Sequence, residues 1–124
     1  MDDRYVVDGK LDAFSQLHLA RKLSPALALV LALNDPANSE MPKSVLVVTL
    51  LSYLSDDDSD YVVKKCLGSV KFNQPGVGPV KIVTKDGTLV FSEITIETIT
   101  ELVAKVIVDN LGDFLNTALA RSAQ

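Results

Sequence analysis

Residues 12–25 read Asp12-Ala13-Phe14-Ser15-Gln16-Leu17-His18-Leu19-Ala20-Arg21-Lys22-Leu23-Ser24-Pro25, and this stretch sets the helical character of the chain. Asp12 can cap a helix, because its carboxylate accepts a bond from one of the free N–H groups of a first turn. At helical spacing Ala13, Phe14, Leu17 and Ala20 share one face, which predicts a buried stripe; Ser15, His18 and Lys22 lie opposite. Arg21 falls between Phe14 and Leu17, where an unpaired charge is costly to bury. Either its stem packs while the head reaches water or an acid such as Asp12 or Glu101, or it contacts a partner. His18, one turn from Phe14, is either a surface histidine or a partner contact. Ser24-Pro25 reads as N-cap plus N1 proline and predicts a second helix to about Leu33, apolar nearly all round.

Working outward, Arg4 to Val7 predicts a short strand closed by the turn pair Asp8-Gly9. Asn34 to Lys43, with two prolines, two asparagines and a serine, reads as a loop. Ser44 is placed to cap the apolar segment Val45 to Leu54; its β-branched residues leave helix and strand open, and its length favours helix. Ser55 to Asp60 reads as an acidic loop before a helix starting near Asp60, with Val62, Val63, Cys66, Leu67 and Val70 as its stripe. Asn73 to Pro79 breaks that helix. Val80–Thr84 and Thr88–Phe91 flank Lys85-Asp86-Gly87 and predict a β-hairpin. Thr95 caps a last helix whose stripe is Ile96, Ile99, Leu102, Val103, Val106 and Ile107, and Gly112 is expected to break or kink it. A minor stripe, Ala104, Val108 and Leu115, is either a second packing edge against the hairpin or an exposed strip for a partner helix. Residues from Ala120 onward are expected to fray. The expected architecture is mainly α: one domain over residues 1–124, a bundle of about five helices with a short N-terminal strand and a small β-hairpin.

Composition narrows function by exclusion. The net charge is −4, and the basic pairs Arg21-Lys22 and Lys64-Lys65 make no patch, which argues against nucleic acid. The apolar runs Ala26–Leu33 and Val45–Leu51 fall short of the roughly 20 residues that cross a bilayer, and the acidic N-terminus lacks a secretory h-region. One cysteine, Cys66, forbids an intrachain disulfide and suits a reducing cytosol.

No catalytic, metal or cofactor site is expected. Asp56, Asp58 and Asp60 suggest a calcium loop, but an EF-hand counted from Asp56 needs Gly where Tyr61 stands and Glu where Leu67 stands. Cys66 lies on an apolar stripe, so it reads as a buried small hydrophobe rather than a nucleophile paired with His18. One His and one Cys do not make a zinc site. Gly76-Val77-Gly78-Pro79 lacks the Lys-Ser or Lys-Thr of a phosphate loop. No carboxylate pair is expected in an apolar pocket, so an enzyme is not expected.

The first helix resembles a family of small phage tail assembly chaperones: Asp12-Ala13-Phe14, Gln16 and His18, Ala20-Arg21, then Leu23 and Pro25. Three further stretches are similar, in order: Asp60-Tyr61-Val62 through Lys65-Cys66-Leu67; Gly87 through Leu89-Val90-Phe91; and Leu102-Val103, Val106-Ile107, Asn110-Leu111-Gly112 and Phe114. Gln74 to Pro79 departs from the aromatic, Trp-containing segment of such proteins. The resemblance implies a non-catalytic protein of a phage or prophage, working in the host bacterial cytoplasm and absent from the virion. It would bind the long tape-measure protein and keep it soluble until the tail tube polymerises, and many copies or a homo-oligomer would coat it. A frameshifted longer form would recruit the tube protein. Phe14, His18, Arg21 and the strip Ala104, Val108 and Leu115 are the expected partner contacts. The alternative is a structural tail component, a connector or tube-end ring that stays in the particle.

Overall fold

The computed structural model describes residues 4–7, 10–35 and 41–122, with side chains as far as Thr117. In chain order the elements are β1 (Tyr5–Val7), α1 (Ala13–Leu23), a 3₁₀ turn (Ser24–Ala26), α2 (Leu27–Asn34), α3 (Lys43–Ser52), α4 (Asp56–Leu67), β2 (Val70–Gln74), β3 (Gly78–Lys81) and α5 (Ile96–Ser122). The protein is mainly α, as its periodicity predicts. The Asp8-Gly9 turn and most of the Asn34–Lys43 loop lie outside the described residues.

Local chemistry accounts for the helix ends. The Ser15 N–H donates to Asp12 Oδ1 at 2.7 Å, so Asp12 caps α1. The Thr98 N–H donates to Thr95 Oγ1 at 3.3 Å at the start of α5. Two expected caps are not caps. Ser24 donates its hydroxyl back to the Arg21 carbonyl at 2.9 Å, and Pro42 rather than Ser44 precedes α3. The acidic loop is also corrected: Ser55 caps α4 through the Asp58 N–H at 3.1 Å, so Asp56, Asp57 and Asp58 form the first helical turn. Three carboxylates there face the positive end of the helix dipole, which draws the start back to Asp56.

The β element is displaced from its expected place. The full hairpin is β2–β3, and the expected pairing of Val80–Thr84 with Thr88–Phe91 is present only in reduced form. Gly76 (φ 78°) and Gly78 (φ 98°) supply the left-handed turn. Val70 therefore begins a strand instead of ending the α4 stripe. β2 is central and antiparallel to both neighbours, pairing Tyr5 with Phe72 and Phe72 with Val80. Around Asp86-Gly87, with Gly87 at positive φ (83°), Val83 bridges Leu89, the Thr84 N–H donates to the Thr88 carbonyl at 2.9 Å and the Val90 N–H to the Ile82 carbonyl at 2.8 Å, a short antiparallel pairing without full strands.

α5 runs without a break past Gly112 and packs against α3, α4, α2, α1 and β1. Gly112 is buried because the Asn34 side chain sits on it: a Cβ there would meet Asn34 Oδ1 at 2.7 Å. The role of this glycine is close approach. The core gathers Leu19 and Leu23 (α1), Val30 and Leu33 (α2), Leu46, Val47 and Leu50 (α3), Val62, Cys66 and Leu67 (α4), and Leu102, Val103, Val106, Ile107 and Leu111 (α5). Of the predicted α5 stripe, Ile96 is the exception, being 70 % exposed. α2 and α3 are not buried all round, since Leu27, Val45 and Val48 reach solvent. The fraying expected from Ala120 is not seen in the backbone as far as Ser122; the last two residues lie outside the described set.

Candidate functional site

The orientation of α1 decides where a partner can bind. One edge of the helix is tied to α4: Lys22 Nζ reaches Asp58 Oδ1 at 2.6 Å, and the His18 ring lies 5.1 Å from that of Tyr61. The other edge is tied to α5: Gln16 Nε2 donates to Asn110 Oδ1 at 3.3 Å. Residues between those edges, Leu19 and Leu23, point inward and are buried. The opposite face, with Phe14, Leu17 and Arg21, must then point outward. Phe14 is 85 % and Leu17 67 % exposed. The expected buried face of α1 is thus its solvent face, and Arg21 is not a charge in the core.

Asn110 fixes this arrangement from within. It is buried, donates Nδ2 to the Val106 carbonyl at 2.8 Å, and accepts at Oδ1 from the Leu11 N–H at 2.8 Å as well as from Gln16. A buried amide so satisfied stabilises one packing of α1 on α5 over others.

Between the two helices runs a groove of about 220 Å³ lined by Ala13, Gln16, Leu17, Ala20, Asn110, Leu111 and Phe114. Small alanines and Leu111 form its apolar walls, while Leu17 and Phe114, the latter 61 % exposed, stand at its rim. Its volume is below the roughly 300 Å³ at which small-molecule sites begin, so it suits one or two inserted side chains. Exposing Leu17 and Phe114 together withholds their burial from folding, and such patches mark interaction sites.

The other expected contacts are placed differently. His18 is exposed on the α4 side, with its Nε2 3.2 Å from Arg21 Nη2. Ala104 is only 1 % exposed and belongs to the core, while Val108 and Leu115 are half-buried against it. The exposed-strip reading of these three residues is therefore corrected. Val108 faces α3 and β1, in clefts that also hold Pro42 and Lys43, or Val7 and Lys10, rather than the hairpin. Leu17 was assigned to the core and Phe114 was not singled out as a contact. The available signal for Leu17 is Arg21, since a charge flanked by apolar residues on one face of α1 marks that face as outward; nothing comparable marks Phe114 on α5.

Chemically reactive groups do not converge. Cys66 is fully buried, and burial pushes its thiol up to about 12, away from the thiolate form. Among the described residues no three His, Cys, Asp or Glu side chains are grouped so as to hold a metal ion. No helix among them is long and apolar enough to cross a membrane. A second, smaller apolar face is formed by Val45 and Val48 of α3 with Ile96 of α5.

Compared with known proteins, the chain matches the family model described as phage tail assembly chaperone protein, TAC, over residues 2–122. No curated protein and no solved structure matches it.

Proposed function

The chain belongs to the phage tail assembly chaperone family, and from that premise we propose that it binds the phage tape-measure protein and keeps it soluble in the host cytoplasm until the tail tube polymerises. The observation that carries this reading is the α1–α5 groove with Leu17 and Phe114 left in solvent at its edge, and Phe14 exposed on the outward face of α1. A long helical protein awaiting a tube exposes apolar stripes at i, i+3 and i+4, and one or two such side chains fill a groove of this size. Binding is modest per copy, and many copies along one partner supply avidity. Modest affinity also lets tube subunits displace the chaperone. The protein acts by masking surface, without catalysis.

Co-expression with the tape-measure protein, followed by size exclusion with light scattering, tests the proposal. Many copies co-eluting with a soluble tape-measure protein support it. An insoluble tape-measure protein beside a discrete ring of this chain alone would replace it with the reading of a structural tail component.

A further inference from the structure

Lys64 of α4, Lys81 of β3 and Lys85 of the following turn line one cleft of about 490 Å³, together with Asp86 and Gly87. Gly87 makes room for the first of them: a Cβ there would meet Lys64 Cε at 2.6 Å, so the lysine stem lies across the glycine. Asp86 accepts from the Thr84 hydroxyl and stays within its own turn. Among the described residues none of the three lysines forms an ion pair, and all three are exposed. Three ammonium groups against one carboxylate leave the cleft positive in a chain whose net charge is −4. Like charges so gathered repel, and a bound anion relieves the repulsion. The complementary surface is on the same chain. α4 opens with Asp56, Asp57 and Asp58, of which Asp58 is engaged by Lys22 at 2.6 Å. Asp56 and Asp57 are exposed and form no ion pair among the described residues. The helix dipole favours acids at this end without neutralising them. Lys64 lies roughly 11 Å further along the same helix, and the acids of one chain do not pair with its own cleft.

We infer that the lysine cleft of one copy receives the Asp56–Asp57 end of α4 from a second copy of this chain. Two different surfaces meet, so the contact is head to tail and leaves a free cleft and a free acidic end for further copies. It shares no residue with the α1–α5 groove and stands independently of the groove reading. Attraction between exposed charges is weak per contact and is screened by salt. An extended polyanion such as nucleic acid fits less well, because it would also meet the acidic start of α4 in a chain that is negative overall.

The test is sedimentation equilibrium of the wild-type chain and of two double variants, Asp56→Asn with Asp57→Asn and Lys81→Gln with Lys85→Gln. All four positions are exposed, Lys64 keeps its packing on Gly87, and circular dichroism confirms each fold. Wild type should self-associate at low salt and dissociate towards 1 M salt, where the screening length is only about 3 Å. Each double variant alone should associate roughly tenfold more weakly. An equimolar mixture of the two should restore the wild-type contact and stop at a complex of one copy of each, because only one matched pair of surfaces remains. A wild-type chain that stays monomeric at low salt, a mixture that does not associate, or either variant associating as wild type does, overturns the inference. Loss in the lysine variant alone would assign the cleft a different anion and overturn the second copy as its occupant.

Discussion

Leu17 of α1 and Phe114 of α5 line one groove from opposite ends of the chain, and each keeps most of its surface in water. Their apolar area therefore contributes little to folding and is available for binding. Leu17→Asp and Phe114→Ser should each change unfolding free energy by less than about 1 kcal/mol. Both should sharply reduce co-elution with the tape-measure protein. Urea denaturation beside the binding assay checks both halves of this expectation.

Ala104 behaves in the opposite way. At 1 % exposure a carboxylate there has no water and no partner. Ala104→Asp should destabilise the fold by on the order of 3–5 kcal/mol, enough to unfold much of a marginally stable domain. Circular dichroism and the urea midpoint report it directly. A folded Ala104→Asp protein that had merely lost its partner would restore the exposed-strip reading.

Acid should destabilise the protein through identifiable carboxylates. The hydrogen bond from Lys22 lowers the pKa of Asp58, the backbone N–H of Ser15 lowers that of Asp12, and the Thr84 hydroxyl lowers that of Asp86. A carboxylate whose pKa is lower folded than unfolded adds stability above its unfolded value and loses it as pH falls from there through the lowered folded value. The urea midpoint should therefore decline from about pH 5 to below about pH 3, and Asp58→Asn should flatten that decline. An unaltered slope in the variant would contradict the Asp58 assignment.

The Cys66 thiol should be inert while the protein is folded, because it is buried and its pKa is raised to about 12. Its reaction with a disulfide reagent should proceed at the rate of global unfolding and accelerate with urea. At alkaline pH the sign reverses from the carboxylate case. The unfolded thiol ionises first, so stability is lost as pH rises from about 9 towards 12.

Helix periodicity, the caps at Asp12 and Thr95, and the buried stripe from Leu102 to Ile107 were legible because each depends on neighbours a turn or less away. The inward face of α1 was not. Its sequence offers two apolar sets, Phe14 with Leu17 and Leu19 with Leu23, and only the ties to Asp58 and Asn110, distant in sequence, decide between them. The expected hairpin forms only as a short pairing for a similar reason. Asp86-Gly87 is the stronger local turn signal, yet β2 pairs with both β1 and β3, and that pairing outweighs it. The candidate surface therefore lies where periodicity places core.

Photo-crosslinking tests the central claim most directly. Benzoyl-phenylalanine substituted for Phe114, at the groove, or for Val77, at the exposed tip of the hairpin, is irradiated during co-expression with the tape-measure protein. Crosslinks to the tape-measure protein from position 114 and none from position 77 are the predicted result. Crosslinks from position 77 alone, or from neither position while the two proteins still co-elute, would contradict binding through the α1–α5 groove.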